Sequence, residues 1–367
     1  MPRNTLVLTS GGILGVSYGG VFRCMEEKGI DLDSFTEVYG TSIGALIGLL
    51  VVIGMSKDNI RRLLMNLPIT RLFQITSEGL IGFADNQGID NGSGIRSICR
   101  HILQRIYKNP DITLGELGQK TEKHFVTNAT DVCRGKMVLL GTKETPGVKV
   151  EDAVVASASI PFLYSPVRIN DMVLVDGGVT TPLLLHLVAK EDLPNTIAVV
   201  PMTKMDSMGV EDVPGMAKSV YYTMMNSGIE NLIQKCGKEA SKRVMYIRTP
   251  VDSTNMLSQE ADNISLRETL DFLGYTEANR SDVILSFGSI TDPPSKEDTE
   301  PSGPPDQPVE EQEPAKPFLP HVDEVSDTTE LQPLGKPSDP PRSLPPPIET
   351  RANDSSQVKP LTYQAGL

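Results

Sequence analysis

Three short stretches of this 367-residue chain contain residue types that could carry out acyl transfer. The first is "GTSIG", in which Ser42 lies between Gly40 and Gly44 at the junction of a β-like run and a helix-like run of small residues. A serine hydroxyl is a weak nucleophile, so it needs an exposed position, a nearby base and donors for the oxyanion that forms. A sharp strand-to-helix elbow supplies such a position and requires small neighbours. The alternative for this stretch alone is a tight turn without a catalytic role.

A candidate base lies in the second stretch, "VLVDGGV". Asp176 ends an apolar strand-like run, and Gly177 and Gly178 let the backbone turn sharply after it. A carboxylate at a strand terminus can be presented to a crevice at the edge of a sheet. An ordinary Asp-Gly turn is the alternative.

The four histidines are poorly placed for a Ser-His-Asp arrangement. The order of an α/β-hydrolase triad is serine, acid, histidine, with several strands ahead of the serine, whereas here a single strand precedes it. His101 and His124 come before any obvious acid, and His321 lies in a proline-rich tail. His186 comes late enough, but its spacing in "TPLLLHLVAK" predicts a packed or surface position on a helix.

The third stretch is the glycine loop "TSGGILG" at residues 9–15, directly after the first predicted strand. Consecutive glycines can aim successive backbone amides at one point and so bind an anion. A nucleotide-phosphate loop would end in Gly-Lys-Ser/Thr, which is absent, and GxGxxG fits only with stretched spacing. An oxyanion hole is therefore the favoured interpretation.

The order of these stretches is more specific than any one of them. "GGILG", "GTSIG" and "DGG" resemble the motifs GGxR/KG, GxSxG and DG[GA] that occur in this order in the patatin-like phospholipase family. Further likeness lies in "DITLGEL" at 111–117, in "VTNATD" at 126–131 and in "EDAVVASASIPFLYSPV" before the DGG. The likeness extends over roughly residues 5–250.

The resemblance implies a serine esterase that hydrolyses lipid carboxylic esters in the manner of a phospholipase A, through an acyl-enzyme and without metal or cofactor. It implies that Ser42 is the nucleophile and Asp176 the proton acceptor of a Ser-Asp dyad that needs no histidine. The implied oxyanion donors are backbone amides of Gly11, Gly12 and Ile13. A neutral acylglycerol lipase or a transacylase would use the same residues.

One position departs from the family pattern. Leu14 stands where the family commonly has Arg or Lys, while Gly15, the last glycine of that motif, is retained. Because the implied oxyanion donors are backbone amides, the loop can still function. The missing cation bears on anion stabilisation and on the choice between phospholipid and neutral lipid. Arg23 is expected on a helix face and is no replacement.

The elements around these motifs predict an α/β fold. The first 55 residues read strand, glycine loop, helix, strand, tight turn, helix, which is typical of a parallel sheet covered by helices. With the resemblance, this gives a three-layer α/β/α domain with a mainly parallel central sheet. Residues 70–94 are predicted to be loop-rich, and 68–95 are a candidate cap over an acyl groove. A helix is predicted from about 182 to 190, and "SLRETLDFLGYTEA" is expected to be the last packed helix.

Composition divides the chain near residue 290. Residues 1–290 are predicted to form the acyl hydrolase domain, whereas 291–367 hold most of the 28 prolines and most of the net charge of −13 and are predicted to be disordered. The mildly acidic domain gives no support to nucleic-acid binding. The tail segment "SDPPRSLPPPIET" approaches an SH3 ligand, so a non-catalytic adaptor is the alternative from another functional class.

The expected partner is a membrane or micellar lipid substrate, and the expected location is cytoplasmic and peripheral at membranes. The N-terminus lacks a signal-peptide pattern, and the longest apolar run, at 45–55, is too short to span a bilayer. The four cysteines are widely spaced and are expected to be reduced, with no zinc or disulfide framework.

Overall fold

The computed structural model describes residues 3–67, 69–203, 213–249 and 262–287. The predicted tail at 291–367, with its SH3-like segment, lies outside these residues. The strands are β1 (Thr5–Leu8), β2 (Glu37–Gly40), β3 (Gly88–Asp90), β4 (His124–Asp131), β5 (Lys136–Gly141), β6 (Phe162–Tyr164), β7 (Val167–Ile169), β8 (Met172–Asp176), β9 (Thr196–Thr203) and β10 (Val244–Thr249). The helices are α1 (Ser17–Glu27), α2 (Ile43–Val52), α3 (Lys57–Asn66), α4 (Ile69–Leu72), α5 (Ser77–Ile81), α6 (Phe83–Asn86), α7 (Ser93–Tyr107), α8 (Leu114–Thr121), α9 (Val150–Ala158), α10 (Val213–Ser241), α11 (Ile264–Asn279) and α12 (Asp282–Leu285).

The centre of the fold is an eight-stranded sheet in the order β10-β9-β1-β2-β4-β8-β7, with β5 also paired to β4. The pairs from β10 through β9, β1 and β2 to β4 are parallel. The pairs β4 with β8, β4 with β5 and β7 with β8 are antiparallel. The predicted α/β class with a mainly parallel sheet is confirmed.

Both faces of the sheet are covered, as the continuous apolar run of β1 predicts. Leu6 and Leu8 belong to one buried cluster, which includes residues of α1, α2 and α9. Val7 points to the other face and belongs to a second cluster, together with Ile229 and Ile233 of α10. The three layers are therefore helix, sheet and helix.

Helix α11 packs tightly against α1 on one of these faces. Glycines make the close crossing possible, because a Cβ atom at Gly20 would lie 1.8 Å from the Asp271 carbonyl oxygen and one at Gly274 would lie 2.0 Å from the Ser17 carbonyl oxygen. The buried carboxylate of Asp271 accepts hydrogen bonds from Nε of Arg61 at 3.0 and 3.1 Å. The last predicted helix is thus an integral part of the domain.

Two local predictions differ from the structure. The region 182–190 is not an α-helix but a short 3-10 turn at Leu184–Leu187, followed by another at Lys190–Asn195. Leu183, Leu184 and Leu185 are all buried, which one face of an α-helix against a core cannot achieve for three consecutive residues.

The region 70–94 was predicted to be loop-rich, and it contains the short helices α4, α5 and α6 as well as β3. Strand β3 pairs in parallel with β6 in a separate two-stranded sheet, with Gly88 opposite Phe162. These elements are three to five residues long, too short for a periodic pattern to reveal them.

Candidate active site

The sheet brings the three motifs to one edge. β1 and β2 are parallel neighbours with Leu8 opposite Gly40, so the glycine loop after β1 and Ser42 after β2 emerge side by side. In the next pair Gly40 lies opposite Thr127, which puts position 42 level with Ala129. Ala129 pairs with Asp176 in turn. Ser42 and Asp176, 134 positions apart in the chain, therefore meet at the carboxyl end of the parallel strands.

Ser42 sits on a strained elbow. Its backbone has φ 56° and ψ −122°, in a region that L-residues with side chains rarely adopt. Close packing holds the turn, because a Cβ atom at Gly40 would lie 2.3 Å from the Gly44 carbonyl oxygen and one at Gly44 would lie 2.3 Å from the Leu8 carbonyl oxygen. The N–H group of Ser42 donates to the hydroxyl of Ser157 at 2.9 Å. The chain thus holds the serine in a conformation that a relaxed turn would not keep.

Asp176 ends β8 and is fully buried. Its Oδ1 accepts from the N–H of Gly178 at 2.7 Å, and its own N–H donates to the Ser159 carbonyl oxygen at 2.7 Å. Burial raises the pKa of the carboxyl from 3.8 to about 6, while the Ser42 hydroxyl, the Gly178 N–H and the Tyr221 hydroxyl act in the lowering direction. No charged side chain of the described residues contributes to this pKa shift. A carboxylate with a pKa near neutrality is suited to general-base chemistry.

The other carboxylate oxygen, Oδ2, has no partner in hydrogen-bond geometry among the described residues. The Ser42 and Tyr221 hydroxyls approach Asp176 closely enough to lower its pKa. Neither completes a hydrogen bond to Oδ2. Catalytic hydrogen bonds in unliganded enzymes are often long and tighten when substrate binds. Oδ2 is therefore available to accept a proton from Ser42.

Asn128, in the middle of β4, links the two motifs and was not singled out from the sequence. Its Oδ1 accepts from the Thr41 hydroxyl at 2.8 Å, and its Nδ2 donates to the carbonyl oxygens of Gly177 at 3.3 Å and Thr181 at 2.9 Å. Thr41 precedes Ser42, and Gly177 follows Asp176. One buried amide thus fixes the serine turn relative to the aspartate turn. An asparagine within a strand that is otherwise favourable for burial was the available signal in "VTNATD".

The glycine loop lies on the other side of Ser42. Gly12 has φ 55°, a left-handed conformation, and begins a 3-10 turn, Gly12–Val16, so the N–H groups of Gly12 and Ile13 precede its internal hydrogen bonds. Gly12 and Ile13 both line the pocket that contains Ser42, whereas Gly11 is not among its lining residues. Gly15 allows the loop to pack on α2, because a Cβ atom there would lie 2.6 Å from Cγ1 of Ile43.

The pocket at Ser42 is apolar. It has an empty volume of about 560 Å³, part of it open to solvent. Besides Ser42 and the glycine loop, it is lined by Ile43, Leu46, Leu72, Phe73, Ile95, Ala158, Ile160 and Tyr164. A second, wholly apolar pocket shares Gly12, Ile13, Ile43, Leu46 and Leu72 with the first and continues to Leu50, Leu63 and Leu67. The arrangement is suited to a hydrocarbon chain whose reacting end lies at Ser42.

Leu14 and the histidines are placed as follows. Leu14 is buried in the core, so its position offers no cation to an anion in the pocket. His186 is exposed and does not line the Ser42 pocket. His124 begins β4 at the amino ends of the parallel strands, away from Ser42. Its Nδ1 lies 2.5 Å from Oε2 of Glu37 and its Nε2 lies 3.0 Å from Oε1 of Glu144.

The described ranges contain neither a metal-binding cluster nor a disulfide. No group of three or more His, Cys, Asp or Glu side chains there could hold a metal ion. Cys24, Cys99, Cys133 and Cys236 are all free thiols. Over the same part of the chain, no helix has the length and apolar character needed to cross a bilayer.

Known proteins resemble this chain over about its first half. Residues 6–188 match the model of the family described as patatin-like phospholipase. The chain is 27% identical to a probable lipid hydrolase of Invertebrate iridescent virus 6 over 48% of this chain and 59% of that protein. It is 23% identical to an uncharacterised protein of Acanthamoeba polyphaga mimivirus over 53% of this chain and 64% of that protein.

An uncharacterised NTE family protein of Mycobacterium bovis is 25% identical over 54% of this chain and 49% of its own length. This chain thus spans about half to two thirds of the length of these curated relatives. Among solved structures, VipD from Legionella pneumophila has a TM-score of 0.49 at 18% identity, covering 78% of this chain and 67% of that one.

Proposed function

We propose that this chain hydrolyses lipid carboxylic esters with Ser42 as nucleophile and Asp176 as base. The chain belongs to the patatin-like phospholipase family, whose model matches residues 6–188. The observation that carries the proposal is the buried carboxylate of Asp176, which has a pKa of about 6 and faces the serine of a strained elbow. A base with that pKa is deprotonated at neutral pH, so no histidine is needed to accept the serine proton.

The reaction has two halves. Ser42 Oγ attacks the ester carbonyl carbon while its proton passes to Asp176 Oδ2, and the resulting oxyanion accepts hydrogen bonds from amides of the glycine loop, Gly11 to Ile13. The intermediate collapses to an acyl-serine, and the leaving alcohol takes the proton from Asp176. In the second half, water attacks the acyl-serine and gives its proton to Asp176. The fatty acid is then released as the proton returns to Ser42.

A fluorophosphonate probe tests this assignment directly. We expect labelling of the wild-type protein that is lost in Ser42→Ala and strongly slowed in Asp176→Asn, while His186→Ala labels and turns over like the wild type. Circular dichroism of each variant controls for folding. Failure of folded wild-type protein to label at Ser42 would exclude the serine esterase assignment, and inactivity of His186→Ala would favour a triad.

The identity of the lipid head group depends on the glycine loop. Leu14 is an apolar, buried residue at the position where a basic residue is common in the family. Since nothing at this position attracts a phosphate, we propose that the same ester hydrolysis acts on neutral acylglycerols in preference to phospholipids. Hydrolysis of diacylglycerol and phosphatidylcholine, presented in the same detergent micelles, distinguishes the two. A rate on phosphatidylcholine equal to or above that on diacylglycerol would contradict this preference.

Peripheral docking on a lipid surface is also proposed, from side chains next to the pocket. Phe73 and Tyr164 line the pocket, and close to them the chain exposes Ile75, Phe162 and, on α5 and α6, further apolar side chains. This rim consists of Ile75, Leu80, Ile81, Phe83 and Phe162, which are 40–87% exposed. Exposed apolar patches of this kind typically mark interaction surfaces. A lipid bilayer is the occupant that also supplies the substrate.

The rim is tested by charge substitution. We expect Ile81→Asp to weaken sedimentation with vesicles of neutral phospholipid and to lower the rate on vesicle-borne ester, while the rate on a water-soluble ester is unchanged. Phe272 on α11 is 63% exposed and does not belong to the rim, so Phe272→Asp is the matched control. Equal vesicle binding by both variants would rule out the rim as the docking surface.

The domain boundary near residue 290 is proposed from the last described contacts. The ring of Phe287 packs against that of Phe35 at a tilt of 43°, with ring centroids 5.5 Å apart, so the chain packs on the core at least to this residue. A protein truncated after residue 290 is expected to be soluble and to keep its fluorophosphonate labelling. Loss of activity on truncation would show that the tail is needed for catalysis, and aggregation would show that the boundary lies further on.

A further inference from the structure

A phenol lies beside the proposed base. Tyr221, on α10, has a buried hydroxyl that makes no hydrogen bond with other described residues. A Cβ atom at Gly178 would lie 3.0 Å from the Tyr221 oxygen and 3.0 Å from Oδ1 of Asp176, so the two oxygens lie against the same glycine. The Tyr221 hydroxyl and Asp176 Oδ2 are a buried donor and a buried acceptor that both lack a hydrogen-bond partner among the described residues. Leaving both unsatisfied destabilises the fold, and a hydrogen bond between them removes that cost.

The surroundings leave few other partners for either group. The third neighbour of the same Cβ position at Gly178 is Sδ of Met225, at 3.1 Å. The charge of Asp176 raises the pKa values of two phenols, Tyr221 and Tyr164. Among the described residues, no Lys, Arg or His contributes to the pKa of Asp176 itself. A neutral donor is therefore the type of group that the site provides for the carboxylate.

We propose that Tyr221 is a positioning residue that donates its phenolic hydrogen to the Asp176 carboxylate and holds it in place while Asp176 accepts the proton of Ser42. This proposal rests on the proposed function. The phenol keeps its proton throughout, since burial raises the pKa of Tyr221 well above 10. Tyr221 does not line the Ser42 pocket, so it acts through Asp176 and not on the substrate.

The proposal assigns a role to α10, which follows the segment matched by the family model. The helix supplies both Tyr221 and Met225, which lie against Gly178 next to Asp176. The hydrogen bond it provides stabilises the charged form of the base and so keeps the pKa of Asp176 from rising further on burial. Gly178 is required at the centre of this contact, because a side chain there would separate the phenol from the carboxylate.

The test is the pH profile of kcat/KM for a water-soluble ester in Tyr221→Phe. Loss of the donor raises the pKa of Asp176, and catalysis needs the deprotonated carboxylate, so the acid limb should move to higher pH. We expect a shift of about one pH unit, equivalent to about 1.4 kcal/mol. The rate at pH 6 should fall about fivefold, because the deprotonated fraction of Asp176 falls from about one half to about one eleventh, and should recover towards the wild-type value at pH 9. Met225→Leu, which changes the same contact without a hydroxyl, should leave the limb in place.

Failure of the Tyr221 proposal can be told apart from failure of the proposed function. An unmoved acid limb, or a rate lowered equally at every pH, would overturn the role of Tyr221 while Ser42 labelling in the wild type still upholds the proposed function. Absence of that labelling would remove both. If Tyr221→Phe does not fold, fluorinated tyrosine at this position provides the second measurement. Its stronger donor should move the acid limb to lower pH, and an unmoved limb would overturn the proposal.

Discussion

Replacement of Asp176, the proposed base, by its neutral isostere asparagine should make the protein more stable while strongly lowering the proposed activity. Asp176 has no cationic partner among the described residues, and burial raises its pKa from 3.8 to about 6. The folded state binds the proton of Asp176 more tightly than the unfolded state does, so protonation of this carboxyl favours folding. This stabilisation is fully present below pH 3.8 and is lost as the pH rises through about 6. Asp176→Asn removes the charge and keeps an oxygen that can accept from the Gly178 N–H.

The magnitude follows from the pKa difference. One unit corresponds to 1.36 kcal/mol, so the shift amounts to destabilisation on the order of 3 kcal/mol at pH 7.5. At pH 4 the same pair of pKa values leaves only about 0.5 kcal/mol. Asp176→Asn should therefore exceed the wild type in free energy of unfolding by a margin that grows between pH 4 and pH 7. Loss of the general base should lower kcat by about 10²- to 10⁴-fold.

Urea unfolding followed by circular dichroism at several pH values measures this margin. Asp131 is the matched control, since it is also buried on the sheet but is paired with Arg134, which lowers its pKa. Asp131→Asn should therefore be less stable than the wild type at neutral pH. If Asp176→Asn is no more stable than the wild type at pH 7.5, or if its advantage does not change with pH, the reasoning from an unpaired buried charge is wrong.

Three further variants test two parts of the framework around the site and one ion pair at the other end of the sheet. Gly44→Ala should unfold the domain or lower its melting temperature sharply, because the new methyl group meets the Leu8 carbonyl oxygen, whereas Gly147→Ala, with open space around it, should melt like the wild type. Asn128→Leu should cost about 1–3 kcal/mol in urea unfolding for each buried partner left unsatisfied, and should slow labelling of Ser42; normal labelling would show that the bridge does not position the serine. Burial lowers the pKa of His124, but its contacts with Glu37 and Glu144 outweigh burial, so the pKa is raised overall. The stabilisation that protonated His124 contributes is therefore fully present below pH 6.5 and is lost as the pH rises through the folded-state pKa. His124→Gln should have a lower free energy of unfolding than the wild type at pH 6, and this difference should narrow as the pH rises.

The sequence was most informative where residue type and order coincide. The continuous apolar run of Leu6, Val7 and Leu8 predicts a strand buried on both faces, and the three side chains are indeed buried on alternate faces of the sheet. The meeting of Ser42 with Asp176 depends on β4, which lies between their strands, and no local pattern specifies that β8 pairs with β4 in the antiparallel sense.

Other features were beyond prediction for physical reasons. The hydrogen-bond partners of Asn128 lie 49, 53 and 87 positions away in the chain, and Tyr221 lies 221 − 176 = 45 positions after Asp176. In sequence each looks like an ordinary polar residue of its element. The helix predicted at 182–190 failed because burial of three successive leucines overrides a helical spacing. The short helices around the pocket carry no periodic signal at all.

The position of β1 in the sheet has a consequence for the order in which the protein can fold. Its neighbours are β2, which follows within 40 residues, and β9, which begins at Thr196. Until β9 has left the ribosome, β1 remains an uncovered edge next to the nascent active site, and Tyr221 follows later still. Such long-range pairing slows folding and leaves apolar edges open to aggregation. We therefore expect that nascent chains ending near residue 188 depend on chaperones and that the proposed esterase activity appears only after α10 has been synthesised.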